Sequence, residues 1–543
     1  MRAKIDMTIH PADGGELISI NPSTEEELAR TPALSRDELD AVLQKAGSAA
    51  RPWAAIPIKE RQAFVAKLVD VISRDRWEIA EIIAREQGKP MTEALSAEVI
   101  ATLSALKYLA RKAEGFLKPR KAPHDLILFT SKSSYYQYDP YGVIAIISPW
   151  NFPFSVPMPQ IAAAIVAGNT VVFKPAPGSI LISKKMNDLF RAAGLPQGVV
   201  NTVFLQDKDA SYLTQHPGVQ KIVFTGSTAV GRKVMASAAT QLTPVVLELG
   251  SKDPAVIAAD ANVERAARAT VWGAFFSTGQ VCVSVERVYV HKAVADRFIR
   301  ACIRETEKLR CGDPMDPDTE VGPLSSRAQM EKALSHIRDA VAKGAKIIFG
   351  GKRIGERGYF VQPTILTDVD HSMLVMTEET FGPIMPIMVV DSIDEAIRLA
   401  NDSIFGISAY GWTQSKKTAR RLMRDLEAAT VVINDGTFSW GEPNAPWGGV
   451  KKSGIGKTRA HFGLLEMVRV RYTSYEKRKK SDNFWWFPYN RRTRKDLDNA
   501  VDLFFSNNLF TKLKSAFSLL CSPAFLKTAP LASIVRNVAK LFK

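Results

Sequence analysis

Cysteine is scarce in this chain. The four, Cys282, Cys302, Cys311 and Cys521, form no C-x-x-C pair and show no disulfide-like spacing in 543 residues. That excludes a disulfide framework and points to free thiols in a reducing compartment. The seven histidines form no ligand cluster, so no catalytic metal is expected. No run approaches the roughly 18 apolar residues of a spanning helix. The N-terminal M-R-A-K-I-D-M-T-I-H lacks an apolar core of signal-peptide length, so a cytoplasmic protein is expected. Acidic residues are also in deficit, giving a formal net charge of +16. The excess is local: residues 471–543 hold 15 Lys+Arg against 5 Asp+Glu, and +16 less this +10 leaves +6 for residues 1–470. With no zinc-finger spacing or aromatic RNA-binding signature, nucleic acid is not the expected partner.

What is present reads as α/β. The length implies two or more domains. Residues 21–118 are a helical lead-in, in which Phe64, Leu68, Val71 and Ile72 fall on one face. From Tyr141, apolar runs of strand length alternate with helical segments: 142–148, 170–174, 199–205, 221–225 and 244–249. A second such rhythm runs from Val263 to Asn434, with strands at 286–290, 345–349 and 384–390. This alternation predicts two doubly wound parallel sheets with a site between them. Segments 126–139 and 467–475 alternate with a two-residue period and read as paired strands.

Four segments carry chemistry. S-T-G-Q-V-C-V-S (277–284) holds Cys282 just after a glycine, as a nucleophile or as a small buried apolar residue. Glu248, at the end of an apolar strand, fits a general base of raised pKa or a salt-bridged structural carboxylate. Asn151, in P-W-N-F-P, fits an oxyanion-stabilising amide or a brace for a turn. G-S-T-A-V-G (226–231), between strand and helix, fits a pyrophosphate-binding turn or a plain connection.

Together with E-E-T-F-G-P-I (378–384) and the block at 434–457, these segments resemble the aldehyde dehydrogenase superfamily over about residues 20–474. The resemblance implies a dinucleotide-binding domain over 1–120 and 140–250 and a catalytic domain over 251–445. It also implies an oligomerisation arm over 121–139 and 446–474, in a homodimer or homotetramer. Cys282 becomes the nucleophile, Glu248 the base and Asn151 the oxyanion donor. NAD or NADP would lie along Ile147, Ser148, Pro149, Trp150, Lys174, Pro177, Gly226, Ser227, Gly231, Leu249, Glu379 and Phe381. Two positions depart from the family: Pro177 stands where NAD-preferring members tend to carry a ribose-binding glutamate, and Ser251 replaces a glycine after Glu248.

The implied reaction is oxidation of a small-molecule aldehyde to the acid through a cysteine thiohemiacetal and thioester. Acyl transfer to coenzyme A is the close alternative, and Glu248 argues for hydrolysis. Val281, Val283, Phe438, Trp440 and Trp447 suggest an apolar funnel for a medium- or long-chain substrate, and the late block is most similar to a subgroup that includes carotenoid dialdehyde enzymes. Residues 475–543 are expected to be a basic amphipathic helical extension, with W-W-F-P-Y (485–489) beside four basic residues and a helical repeat at Leu531, Ile534, Val538, Leu541 and Phe542. Peripheral membrane contact and packing on the enzyme both fit that extension. A non-catalytic membrane-surface or scaffold protein on the same fold is the rival, against which the intact Cys282, Asn151 and Glu248 argue.

Overall fold

The computed structural model describes residues 15–124, 129, 131–477, 483 and 485–528. The helical repeat at 531–542 lies outside them. The chain divides into two compact units, one of residues up to 116 with 140–468, the other of 117–139 with 469 onward.

The first unit holds two extended sheets. In the first, the order is Gly454–Ile455, Val245–Glu248, Lys221–Thr225, Val143–Ile147, Thr170–Lys174 and Val200–Thr202. All pairs are parallel except the edge strand Gly454–Ile455. Val143–Ile147 and Thr170–Lys174 are buried at every residue, as strands covered on both faces must be. The second sheet runs Lys346–Phe349, Thr364–Thr367, Ile384–Val390, Val285–His291, Asp253–Ile257, Ser408–Trp412 and Thr430–Ile433, parallel except at Lys346–Phe349. The chain crosses between sheets in four residues, since Glu248 ends a strand of the first and Asp253 begins one of the second. This places E-L-G-S-K-D-P beside both sets of strand ends.

The expected lead-in is helical only from Arg36–Ala55 onward: Glu27–Pro32 is a strand paired with Glu16–Ile20, and the first helix is opened by a Ser35/Glu38 capping box. On the helix Ile58–Arg74, Leu68, Val71 and Ile72 are buried as the periodicity requires. Val65 is buried beside them, and Phe64 is half-buried against Trp53, ring centroids 5.5 Å apart.

The second unit contains a three-stranded sheet, Val468–Glu476, Lys132–Pro140 and Arg120–Lys121, and the helices Arg491–Phe505, Leu509–Leu520 and Pro523–Thr528. Among the described residues no helix is long and apolar enough to cross a membrane.

Candidate active site

A cavity of about 370 Å³ opens in the first unit. Its wall includes Asn151, Glu248 and Cys282, and of the other expected site residues Pro149, Trp150, Gly226, Ser227, Leu249, Glu379 and Phe381. Ile147, Ser148, Lys174, Pro177 and Gly231 do not line it.

The first sheet supplies the regular part. After Lys221–Thr225 the chain turns at Gly226, whose N–H donates to the Glu248 carbonyl at 3.0 Å. A side chain on Gly226 would strike the Phe224 ring. Ser227 caps the helix Thr228–Ala238, its Oγ accepting from Val230 N–H at 3.4 Å. One turn on, Gly231 lets that helix close on Leu249: a Cβ there would lie 2.3 Å from the Leu249 Cδ2. A helix N-terminus so placed suits an anionic pyrophosphate. Lys174 is buried at its strand end and pairs with the exposed Asp207 at 3.5 Å, while its carbonyl accepts from Ser148 N–H at 3.1 Å. Pro177 is half-buried.

The second sheet contributes irregular backbone. The helix Val263–Phe275 runs into three consecutive left-handed residues, Ser277 (φ 51°), Thr278 (φ 56°) and Gly279 (φ 72°). Two non-glycine residues in that region cost roughly 1–3 kcal/mol each, so the surroundings must impose the conformation. Ser277 N–H donates to Glu93 Oε2 at 2.9 Å and Thr278 Oγ1 to the Gly322 carbonyl at 3.1 Å. A Cβ on Gly279 would lie 2.2 Å from the Gly382 carbonyl oxygen. This clamp turns Cys282 to the cavity wall. Asn151 is tied to the same loop, its Nδ2 donating to the Gln280 carbonyl at 2.9 Å, which leaves the second amide hydrogen for a ligand. Its own carbonyl accepts from Lys89 Nζ at 2.9 Å, and Lys89 is paired with Glu98 at 2.7 Å, both buried.

Three carboxylates surround the thiol. Thr458 Oγ1 donates to one oxygen of Glu248 at 3.1 Å, and the other oxygen is buried without a partner in the protein. Burial pushes Glu248 up to about 8. Burial also raises Glu379 to about 7, with the neighbouring Glu286 adding repulsion, while Ser251 N–H donates to it at 2.9 Å. The Ser251 hydroxyl turns away, to Asp253, so it does not compete for Glu248. Cys282 borders the cavity yet lies deep in the protein. Burial first, then Asp253, Glu248 and Glu379, raise its thiol well above the usual range, so it rests protonated.

Phe381 is also left-handed (φ 58°) and meets Trp150 edge to face at 5.5 Å. Glu286 holds this turn, accepting from Thr380 N–H at 2.7 Å and Phe381 N–H at 2.9 Å while paired with Lys252. Glu286, Glu93, Gln280, Thr458 and the Lys89–Glu98 pair escape sequence reasoning. The one signal among them is Glu286, a carboxylate within the apolar strand Val285–His291. Val281, Val283, Phe438, Trp440 and Trp447 all line the cavity, joined by Trp272 and Phe276. Trp440 meets Trp447 edge-on at 4.7 Å, and the Arg459 guanidinium lies 4.3 Å from the Trp440 ring. Cys302 is buried in the helix Ala295–Thr306, and neither it nor Cys311 nor Cys521 reaches the cavity wall. Among the described residues no cluster of His, Cys, Asp or Glu could hold a metal ion.

The model of the aldehyde dehydrogenase family matches residues 9–473. The chain is 36% identical to the peroxisomal aminoaldehyde dehydrogenase 1 of Pisum sativum over 470 residues, covering 84% of this chain and 93% of that protein. An NADP-dependent enzyme of E. coli superposes with a TM-score of 0.82 at 32% identity, covering 86% of this chain and 95% of the other. An aldehyde dehydrogenase of Brucella melitensis biovar abortus gives 0.82 at 34% identity, covering 87% and 96%. The chain belongs to the aldehyde dehydrogenase family, NAD(P)-dependent oxidoreductases acting on aldehydes.

Proposed function

We propose that this protein oxidises apolar aldehydes of medium or long chain to carboxylic acids, through a thioester on Cys282 that is hydrolysed in place. The observation that carries this reading is the meeting of Cys282, Asn151 and Glu248 in one cavity, whose lining also includes several aromatic side chains and the Gly226 turn.

The Cys282 sulfur adds to the carbonyl carbon. Since the thiol rests protonated, it gives its proton to water in the cavity as the sulfur adds, which leaves Glu248 for the later step. The free Asn151 amide hydrogen and the Cys282 N–H stabilise the oxygen as it becomes negative. A nicotinamide cofactor, when bound, supplies the two-electron oxidation that turns the adduct into a thioester. Glu248, with one oxygen unpartnered, then takes a proton from the attacking water, and Cys282 leaves as the acid forms. Its presence argues against acyl transfer to coenzyme A.

The cofactor would lie with its pyrophosphate at Gly226, Ser227 and the helix that Gly231 draws against Leu249. Its nicotinamide end would lie by Pro149, Trp150, Glu379 and Phe381, and its ribose by Lys174, behind Ile147 and Ser148. Pro177 brings no carboxylate to that ribose. Asp207, paired with Lys174, does, so we assign it the role of accepting a ribose hydroxyl and disfavouring a 2′-phosphate, which favours NAD. The sheets divide the first unit into cofactor-binding and catalytic halves, and the strands Lys132–Pro140 and Val468–Glu476 would serve a dimer or tetramer.

Absorbance at 340 nm, with NAD and NADP separately and aldehydes from acetaldehyde to dodecanal, tests the reading. A buried methylene is worth about 0.8 kcal/mol, so kcat/KM should rise by up to about fourfold per carbon, with polyene dialdehydes as the long extreme. The signal should vanish in Cys282→Ala. A folded wild type that reduces neither cofactor with any aldehyde sinks the activity. A preference for short or amino-substituted aldehydes sinks only the apolar substrate.

A further inference from the structure

The helices at the end of the second unit carry more apolar surface than their own packing uses. In Arg491–Phe505 the buried face is Thr493, Asp496, Ala500 and Leu503. In Leu509–Leu520 it is Ser515, Ala516 and Leu519, closed by Phe525. Polar contacts complete the pair: Asn499 Nδ2 donates to Ser518 Oγ at 2.9 Å, and the Ser515 hydroxyl to Asp502 at 3.2 Å. That core is finished. Each helix nevertheless bears a second apolar stripe at i, i+4, i+8: Leu497, Val501 and Phe505 on one, Leu509, Leu513 and Phe517 on the other, all exposed. Phe487, Phe510 and Phe517 are 81%, 77% and 71% exposed, and Trp486 and Tyr489 also face solvent. Isolated exposed apolar residues need no explanation, but a set this dense marks a surface that something covers.

We propose that these helices lie on an anionic lipid surface, their outer stripes in the headgroup boundary. Charge selects this occupant. Arg494 precedes Leu497 by three residues, and Lys514 precedes Phe517 by three, so an exposed cation sits on each stripe. Arg491, Arg492 and Lys495 are exposed beside the first. Two of the three acidic residues nearby are turned inward, Asp496 to Ser522 and Asp502 to Ser515. Anionic headgroups would neutralise this surface, whereas a second copy would set like charge against like charge. Trp486 and Tyr489, apolar bodies with polar tips, suit the same boundary. The helices lie on the bilayer and do not span it.

Flotation of the full chain with vesicles tests this, one set of phosphatidylcholine alone and one with added phosphatidylglycerol. The protein should float with the anionic vesicles at least about tenfold more than with the neutral ones, and about 0.5 M salt should weaken the binding. Phe487→Ser/Phe510→Ser/Phe517→Ser should lose about tenfold or more of that flotation with unchanged circular dichroism, and Arg494→Glu/Lys514→Glu should lose the preference for anionic lipid. No flotation with anionic vesicles overturns the proposal, as does flotation that the triple substitution leaves unchanged. A lowered oligomeric mass in the triple variant, without vesicle binding by the parent, would assign the surface to a second copy and also overturn it. None of these outcomes depends on the aldehyde chemistry.

Discussion

The two sheets build their shares of the cavity in opposite ways. The six-stranded sheet uses regular strand ends, a glycine turn and a capped helix, conformations its residues favour unaided. The seven-stranded sheet uses left-handed Ser277, Thr278 and Phe381, which their own preferences oppose and which Glu93 and Glu286 hold from behind. A cofactor needs a repeatable cradle, and a nucleophile needs one position imposed on it. The strain sits where covalent chemistry is assigned, as expected when surrounding structure over-determines a reactive group.

Substitutions can break that contrast. Asn151→Ala removes the amide aimed at the developing oxyanion and should lower kcat by about 10²–10³-fold with little change in KM, measured at 340 nm. Gly279→Ala drives a Cβ against the Gly382 carbonyl and should cost about 10²-fold in kcat/KM and lower Tm. On the other side, Gly178 has open space where its Cβ would go, and Gly178→Ala should be nearly silent in both measurements. Equal damage from the two glycine substitutions would erase the distinction between a clamped and a relaxed loop. Asp207→Ser should weaken NAD and tighten NADP, about tenfold in the ratio of Kd values by calorimetry, without moving Tm. An unchanged ratio would return cofactor choice to residues other than Asp207.

The smallest effect is a stability effect. Glu248 titrates from its ordinary 4.5 to about 8 in the folded protein, so the folded state holds a proton that the unfolded state has lost between those values. Stability therefore falls as pH rises through that window, relative to an uncharged isostere. Glu248→Gln should raise Tm by about 3 °C or more at pH 8–9, and the gain should vanish near pH 4.5. A gain of the same size at both ends would mean the carboxylate is not buried in its charged form.

Much of the fold was legible because strands covered on both faces read as uninterrupted apolar runs: 170–174, 221–225 and 384–390 are strands over those same residues. The segment 199–205 shrinks to Val200–Thr202, since an edge strand has one neighbour to extend it. Cys282, Glu248 and Asn151 stood out through local motifs. The residues that hold them did not: Glu93 is 184 positions from Ser277, and Thr458 is 210 from Glu248. Such contacts leave no periodic trace in a single sequence. Asp207 was hidden for the same reason, because a turn beyond a different strand delivers it to Lys174.

Intact-mass spectrometry of Glu248→Gln protein, mixed with NAD and a medium-chain aldehyde such as octanal, tests the central claim most directly. Without the base that activates water, the thioester should persist. The account predicts about one acyl group per chain, mapped to Cys282, with a matching amount of reduced cofactor formed in a single burst. Steady turnover by this variant without an adduct, or an adduct on another residue, would contradict it.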